Sequence, residues 1–279
     1  MSPWIGEAPP PAAKPIGPIG WLRVGLRGLP ILALLLTGLV LTLLLRVVER
    51  PLFAPARPLT PWITVAVCRA TLRLMGLRVR VHGAQTRENG AVVANHVSWL
   101  DIFVLNAQKR VCFVAKAEVA GWPGINWLAK ATGTVFIRRD RREAGSQIDV
   151  FRRRLRAGHK LLFFPEGTST DGRRVLPFKT ALFAAFFEPA LHETMSIQPV
   201  SVIYRAPPGE DRRFFGWWGE MDLGPSLLKV LAQAPQGAVE LVYHPGLRVA
   251  DYPDRKALAR ALEDAVRLPL DQRVGEETA

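Results

Sequence analysis

The chain has 279 residues, 49% of them hydrophobic, which allows one sizeable α/β domain with an extra segment, or two small domains, and excludes wholesale disorder. Its two cysteines, Cys68 and Cys112, exclude a disulfide framework, stand in no CxxC or zinc-like cluster, and favour a reducing compartment. A net charge of +13 calls for a polyanionic partner: nucleic acid, an anionic membrane surface or a phosphate-bearing substrate.

Residues 1–20 are rich in Pro and Gly and are read as a disordered lead-in. The run 28–45, "GLPILALLLTGLVLTLLL", carries no charge and would be about 27 Å long as a helix, close to a bilayer core. No small-residue cleavage site precedes Arg46, against a signal peptide, and no polar face suits a soluble core helix. A membrane helix is the reading that remains. Arginines are denser after the run than before it, which predicts a cytoplasmic C-terminal body, on an inner membrane of the bacterial type. Pro51, Pro55, Pro58 and Pro61 break the chain ahead of 62–77, an apolar stretch with Arg69 and Arg73 four apart. That pattern predicts an interfacial amphipathic helix, so 21–76 forms a membrane-binding segment.

From Leu77 the pattern changes. "LRVRVHG" alternates as a half-buried strand does, and six short apolar runs follow, around 91–95, 111–116, 134–139, 160–167, 197–204 and 238–245. Between them lie helical stretches. In 145–157, Ile148, Phe151 and Leu155 share one face, and in 253–268, Leu258, Leu262 and Ala265 do. Residues 77–270 are therefore predicted to fold as one α/β domain with a mixed, largely parallel sheet flanked by helices, and 271–279 as a polar tail. Ligand sites in such sheets gather at strand ends, where this chain places its unusual polar residues.

"AVVANHVSWLDIF" holds His96 at a strand end and Asp101 five residues on. Five residues along a continuous helix is about 500°, so the two side chains meet only if a helix starts between them. Ser98 fits an N-cap, and Ser98-x-x-Asp101 matches a capping box. One reading is purely structural: Asp101 caps a helix and His96 is a loop residue. The other has Asp101 accept the imidazole N–H, leaving the second nitrogen as a general base. No GxSxG, P-loop, GxGxxG after a strand or HExxH is present, so a base would act on a substrate hydroxyl directly. In "FFPEGTSTDG", Gly167 permits close backbone approach and Glu166 either binds a polar group of the substrate or orients His96; the alternative is a plain turn. Arg138 or Arg139 and Lys116, at two further strand ends, are phosphate clamps or exposed charge.

Asn95-His96-x-Ser98-x-x-Asp101, Gly133-x-x-Phe136-Ile137-x-Arg139, Phe164-Pro165-Glu166-Gly167-Thr168 and Gln198-Pro199-Val200 together resemble the four ordered blocks of the glycerolipid acyltransferase family, of the 1-acylglycerol-3-phosphate acyltransferase type. The resemblance covers about 75–245. It implies that His96 deprotonates a lysolipid hydroxyl with Asp101 holding the ring, and that the alkoxide attacks acyl-CoA or acyl-acyl-carrier-protein. Donors near the 165–168 turn then hold the oxyanion. It implies no acyl-enzyme, no metal and no bound cofactor, and it assigns Lys116, Arg139 and Glu166, with Gly167 and Thr168, to substrate binding. Membrane lipids become the expected partners in place of nucleic acid. Members using lysophosphatidic acid usually carry arginine after the Thr of the third block, where this chain has Ser169. "ANHVSWLDI", "FVAKAEV" and "PEGTSTDG" resemble the branch that acylates lyso-ornithine lipid, a phosphate-free acceptor; the expected acceptor is lyso-ornithine lipid, lysophosphatidic acid or both, with Arg173, Arg174 or Lys179 the candidates to replace the missing arginine. Two rival readings make different predictions: a basic adaptor binds polyanions in a salt-sensitive way without His96, and a thioesterase releases fatty acid without an acceptor.

Overall fold

The computed structural model describes residues 4–12, 14–122, 124–137 and 144–276, with side chains in the last stretch from Asp149 onward. The apolar run is the middle of a longer helix, α1 (Pro18–Phe53). Pro18 starts it at a position that needs no N–H, and the helix continues through Pro51 before the chain breaks. α2 (Thr60–Met75) follows, stopped by Gly76 in the left-handed region. Glu49 of α1 is buried, and its carboxylate caps α2 by accepting the N–H groups of Leu59 (2.7 Å) and Thr60 (3.0 Å) and the Thr60 hydroxyl (2.6 Å). α1 also lies against the domain beyond α2. Arg27 donates to the carbonyls of Leu231 and Gln233 near one end, and Arg46 to that of Ala131 near the other. Its outer face leaves Leu29, Leu36, Leu44 and Val47 more than half exposed.

The domain strands are β1 (Arg78–His82), β2 (Gly90–Ala94), β3 (Cys112–Lys116), β4 (Val135–Ile137), β5 (Leu161–Phe163), β6 (Ser196–Arg205), β7 (Ala238–Tyr243) and the short β8 (Leu247–Arg248). The helices between and after them are α3 (Asp101–Asn106), α4 (Ile125–Thr132), α5 (Ala144–Arg156), α6 (Pro189–His192), α7 (Leu223–Ala232) and α8 (Arg255–Glu276). The sheet order is β1-β7-β6-β2-β5-β3-β4, with β8 added on β6. β6, β2, β5, β3 and β4 run parallel, whereas β7 and β8 run antiparallel to β6 and β1 follows β7. The sheet is thus mixed and largely parallel.

β2 is buried throughout, as a central parallel strand must be when helices cover both faces. Its period of two sends Val92 and Ala94 to the face covered by α2, α3 and α7, and Ala91 and Val93 to the face covered by α5 and α8. Phe151 and Leu155 of α5, and Leu258 and Leu262 of α8, fill that second face as their helical spacing predicts. α8 continues through most of the stretch whose polarity marks a tail. Arg273 holds it there by bridging Glu240 on β7 (3.3 Å) and Glu276 (2.9 Å). Residues 4–12 carry no helix or strand but touch the domain: Glu7 pairs with Arg174 (2.5 Å), and the Pro9 carbonyl accepts from Arg213 (3.1 Å).

Parallel pairing has one consequence for function. The C-terminal ends of β2, β5, β3 and β4 lie at the same edge of the sheet. His96, the 164–168 segment, Lys116 and the chain leaving Ile137 all start from that edge.

Candidate active site

After Ala94 the backbone leaves the sheet, and Asn95 fixes where it goes. Its side chain reaches across to β6, accepting the Val202 N–H (2.7 Å) and donating to the Val202 carbonyl (2.9 Å). This two-point clamp sits one residue before the histidine. α3 then starts late, at Asp101, after a turn in which the Asp101 N–H donates to the Ser98 carbonyl (3.1 Å). The Ser98 hydroxyl accepts the Leu100 N–H (3.3 Å), and the Asp101 carboxylate accepts the N–H groups of Ser98 (3.0 Å) and Val97 (2.8 Å) through Oδ2. These bonds have the reciprocity of a capping box but lie in the turn before the helix: the N-cap of α3 is Leu100, not Ser98, and no side chain caps it.

The same Oδ2 lies 2.8 Å from His96 Nδ1. The two readings of Asp101 are therefore not alternatives, because one carboxylate caps the turn and holds the imidazole. Three donors on Oδ2 fix its position, and Oδ1 accepts a fourth bond from the Tyr204 hydroxyl (2.8 Å). Asp101 is fully buried, while the His96 side chain keeps 20% of its surface exposed. Nδ1 therefore carries the proton that points at Asp101, and Nε2 is the acceptor nitrogen. No described residue hydrogen-bonds Nε2. The ring stacks on Phe164, centroids 4.1 Å apart and planes within 9°, which fixes its tilt as well as its tautomer.

Glu166 follows at the end of the β5 segment and is buried. Its Oε1 accepts the His96 N–H (2.7 Å) and its Oε2 the Leu176 N–H (2.7 Å). Burial pushes its carboxyl up to about 8, against the pull of those two N–H groups. The His96 carbonyl in turn accepts the Thr170 N–H (2.9 Å), so the backbone of His96 is held on both sides by the 166–170 segment. Gly167 adopts φ 72°, the left-handed region, and its N–H closes the turn on the Phe164 carbonyl (3.0 Å). Beside Glu166 and Thr168 lies a cavity of about 430 Å³, walled by Trp4, Leu176, Pro177, Phe178 and Lys179. Lys116 is half-buried at the end of β3. Arg138 and Arg139 lie outside the described residues. Among the described residues, no three His, Cys, Asp or Glu side chains converge into a set able to hold a metal ion.

The family profile described as "Acyltransferase" matches residues 78–203. The chain is 56% identical to a lyso-ornithine lipid O-acyltransferase of Rhodobacter capsulatus over 97% of this chain and 98% of that protein. The chain belongs to the acyltransferase family. A 1-acyl-sn-glycerol-3-phosphate acyltransferase of Neisseria gonorrhoeae is 30% identical to this acyltransferase, over 73% of this chain and 78% of that one. In fold it matches the crystal structure of the 1-acyl-sn-glycerophosphate acyltransferase PlsC from Thermotoga maritima, with a TM-score of 0.55 at 22% identity, over 91% of this chain and 98% of the other.

Sequence reasoning missed several residues around His96. Tyr204 bonds Asp101 across 103 positions of sequence, and its only local sign is a polar tip ending a buried strand. Burial, then the Asp101 charge, pushes its phenol well above the ordinary range, which keeps it a donor. Phe164 reads as one more core aromatic. Trp4 falls in the segment read as a lead-in, yet its backbone N–H donates to Thr168 Oγ1 (3.4 Å). Ser169, at the position where the resemblance leads to an expectation of arginine for a phosphate-bearing acceptor, is buried. Of the candidate cations to replace that arginine, Arg174 is already paired with Glu7 and with Asp171 (3.3 Å).

Proposed function

We propose that this acyltransferase is a membrane-bound lysolipid O-acyltransferase that moves a fatty acyl group from an acyl thioester to a lysolipid hydroxyl, with His96 as general base. The observation that carries the reading is the 2.8 Å contact from His96 Nδ1 to the buried Asp101, which leaves Nε2 as the only basic nitrogen of the ring facing outward. Nε2 takes the proton from the lysolipid hydroxyl as its oxygen attacks the thioester carbonyl carbon. Asp101 stabilises the imidazolium that forms. The tetrahedral intermediate then breaks its C–S bond, and the departing thiolate recovers the proton from Nε2. The products are an ester and a free thiol, and the enzyme is unchanged. Glu166 acts on the backbone of His96, while donors around the 165–168 turn serve the oxyanion. Lys116, Thr168 and Arg139 are assigned to the substrates. The donor is acyl-CoA or acyl-acyl-carrier-protein.

The preferred acceptor is lyso-ornithine lipid. Ser169 offers no bidentate partner for a phosphate monoester, Arg174 is neutralised by two carboxylates, and the 56%-identical relative bears the lyso-ornithine name. α1 lies along one membrane leaflet with its apolar face down. Residues 27 and 46 both bond the same body, so a perpendicular crossing would drag polar protein into the hydrocarbon. Both ends of α1 and the catalytic body then lie on one side of the membrane, which we assign to the cytoplasm. To test this, purified enzyme is given a labelled acyl thioester with lyso-ornithine lipid and lysophosphatidic acid in parallel. Preferential acylation of the first supports the reading. A comparable rate on the second shows that other cations replace the missing arginine.

A further inference from the structure

A second polar cavity lies at the opposite edge of the sheet. It measures about 270 Å³ and is lined by Arg46, Glu49 and Arg50 of α1, by Ala54, Pro55, Ala56 and Arg57 of the connection to α2, and by Arg154 of α5. Its place follows from the topology: His159 precedes β5 and packs on Pro55, and Gly133 precedes β4 and packs on Arg57, whereas the His96 site is built where β2 and β5 end. His159 accepts from Arg154 at Nδ1 (3.0 Å) and donates from Nε2 to the Pro55 carbonyl (3.0 Å), which pins the connection against the domain. Burial and the neighbouring Arg154 hold its imidazole below the usual range, so it brings no charge.

The crevice is electrostatically incomplete. Four guanidinium groups face one carboxylate, and that carboxylate is engaged in capping α2 through both oxygens. Arg57 Nη1 is buried and has no hydrogen-bond partner among the described residues. Burial first, then Arg46 and Arg154, lowers the Arg57 pKa to about 10, against a smaller opposing pull from Cys112 and Glu49. Gly133 makes room for this group: a Cβ there would stand 2.0 Å from Arg57 Nη1. Beside the cavity, α1 exposes Val47, Val48 and Leu52 on its apolar face.

We propose that this crevice binds a phosphate-bearing anion between Arg46, Arg50, Arg57 and Arg154, at the sheet edge remote from His96. A phosphate offsets the excess positive charge of the four arginines that line the cavity, and guanidinium forks match its oxygens. Two sources offer that chemistry: the head group of an anionic phospholipid in the leaflet under α1, and free phosphate.

The test uses the full chain in detergent, with the melting temperature and retained ligand by native mass spectrometry as readouts. The probes are phosphatidylglycerol, phosphatidylcholine and inorganic phosphate. Phosphatidylglycerol is expected to raise the melting temperature and to stay bound where phosphatidylcholine does not. Stabilisation by inorganic phosphate as well assigns the site to any phosphate, and its absence assigns it to lipid. Arg57→Gln and, at an exposed side chain that spares the fold, Arg50→Gln should each weaken the binding at least tenfold. Arg153→Gln, an exposed change one residue before Arg154, should leave it within twofold. The proposal is overturned if phosphatidylglycerol binds no better than phosphatidylcholine and phosphate does nothing, or if all three variants weaken binding equally.

Discussion

Glu166→Gln separates the charge of this carboxyl from its shape. Each oxygen of Glu166 accepts one backbone N–H, from His96 and from Leu176. An amide can accept only one of these, so the other buried donor faces an NH2 group, at a cost of about 1–3 kcal/mol. The pH dependence is more telling. Burial raises the Glu166 pKa from its ordinary value near 4.5 to about 8, so between those values the folded chain holds a proton that the unfolded chain has lost. Stability from this group is therefore full below pH 4.5 and declines as pH rises through 8. At 1.36 kcal/mol per unit, the wild type should lose about 2.5 kcal/mol between pH 6 and pH 9 from this source, or about 5–10 °C in melting temperature. Buried His159 and His244, whose pKa values burial lowers, contribute a trend of opposite sign at lower pH. That trend is common to both proteins and cancels in the difference. The assay is thermal unfolding of wild type and Glu166→Gln in the same detergent across that range. The variant should start less stable at pH 6 and close the gap by pH 9. Parallel curves with a constant offset would refute the reasoning that burial keeps this carboxyl protonated.

Two further changes probe the His96 support. Tyr204→Phe removes the donor on Asp101 Oδ1 and should cost about 1–3 kcal/mol of stability and about tenfold in kcat with KM little changed, checked by steady-state kinetics beside a melting curve. Asp101→Asn can keep its carbonyl on the His96 and backbone donors while Tyr204 turns to accept from the amide, so the fold should survive. Loss of the charge that stabilises the imidazolium should still lower kcat by about 10²–10⁴, and a drop below tenfold would mean that the carboxylate only caps the turn.

Much of the fold is legible in the chain because its signals are local. The alternation of 78–82, the apolar runs at 91–94 and 161–163 and the helical faces of Phe151 and Leu258 each follow from one periodicity. What is not legible depends on partners distant in sequence. Nothing in β2 announces that it lies between β5 and β6, and β8, two residues long, has no periodicity to read. The same division holds at the site. His96 and Asp101 are five apart and belong to one turn, so spacing alone points to both the cap and the ion pair. Tyr204, Phe164 and Trp4 come from separate segments, and only packing brings them to that turn. α1 outruns the uncharged stretch because a helix end is set by where its partners stop. Glu49 and Arg46 bond the start of α2 and the α4 segment beyond the last leucine of the uncharged stretch.

The central claim is that His96 Nε2 carries the proton of the acceptor hydroxyl. The direct measurement is kcat for acyl transfer by His96→Ala, with thioester consumption and lipid product followed together and the melting curve recorded alongside. The account predicts transfer reduced by three orders of magnitude or more in a protein that still folds and binds vesicles. Transfer within tenfold of the wild type in that folded variant would contradict it.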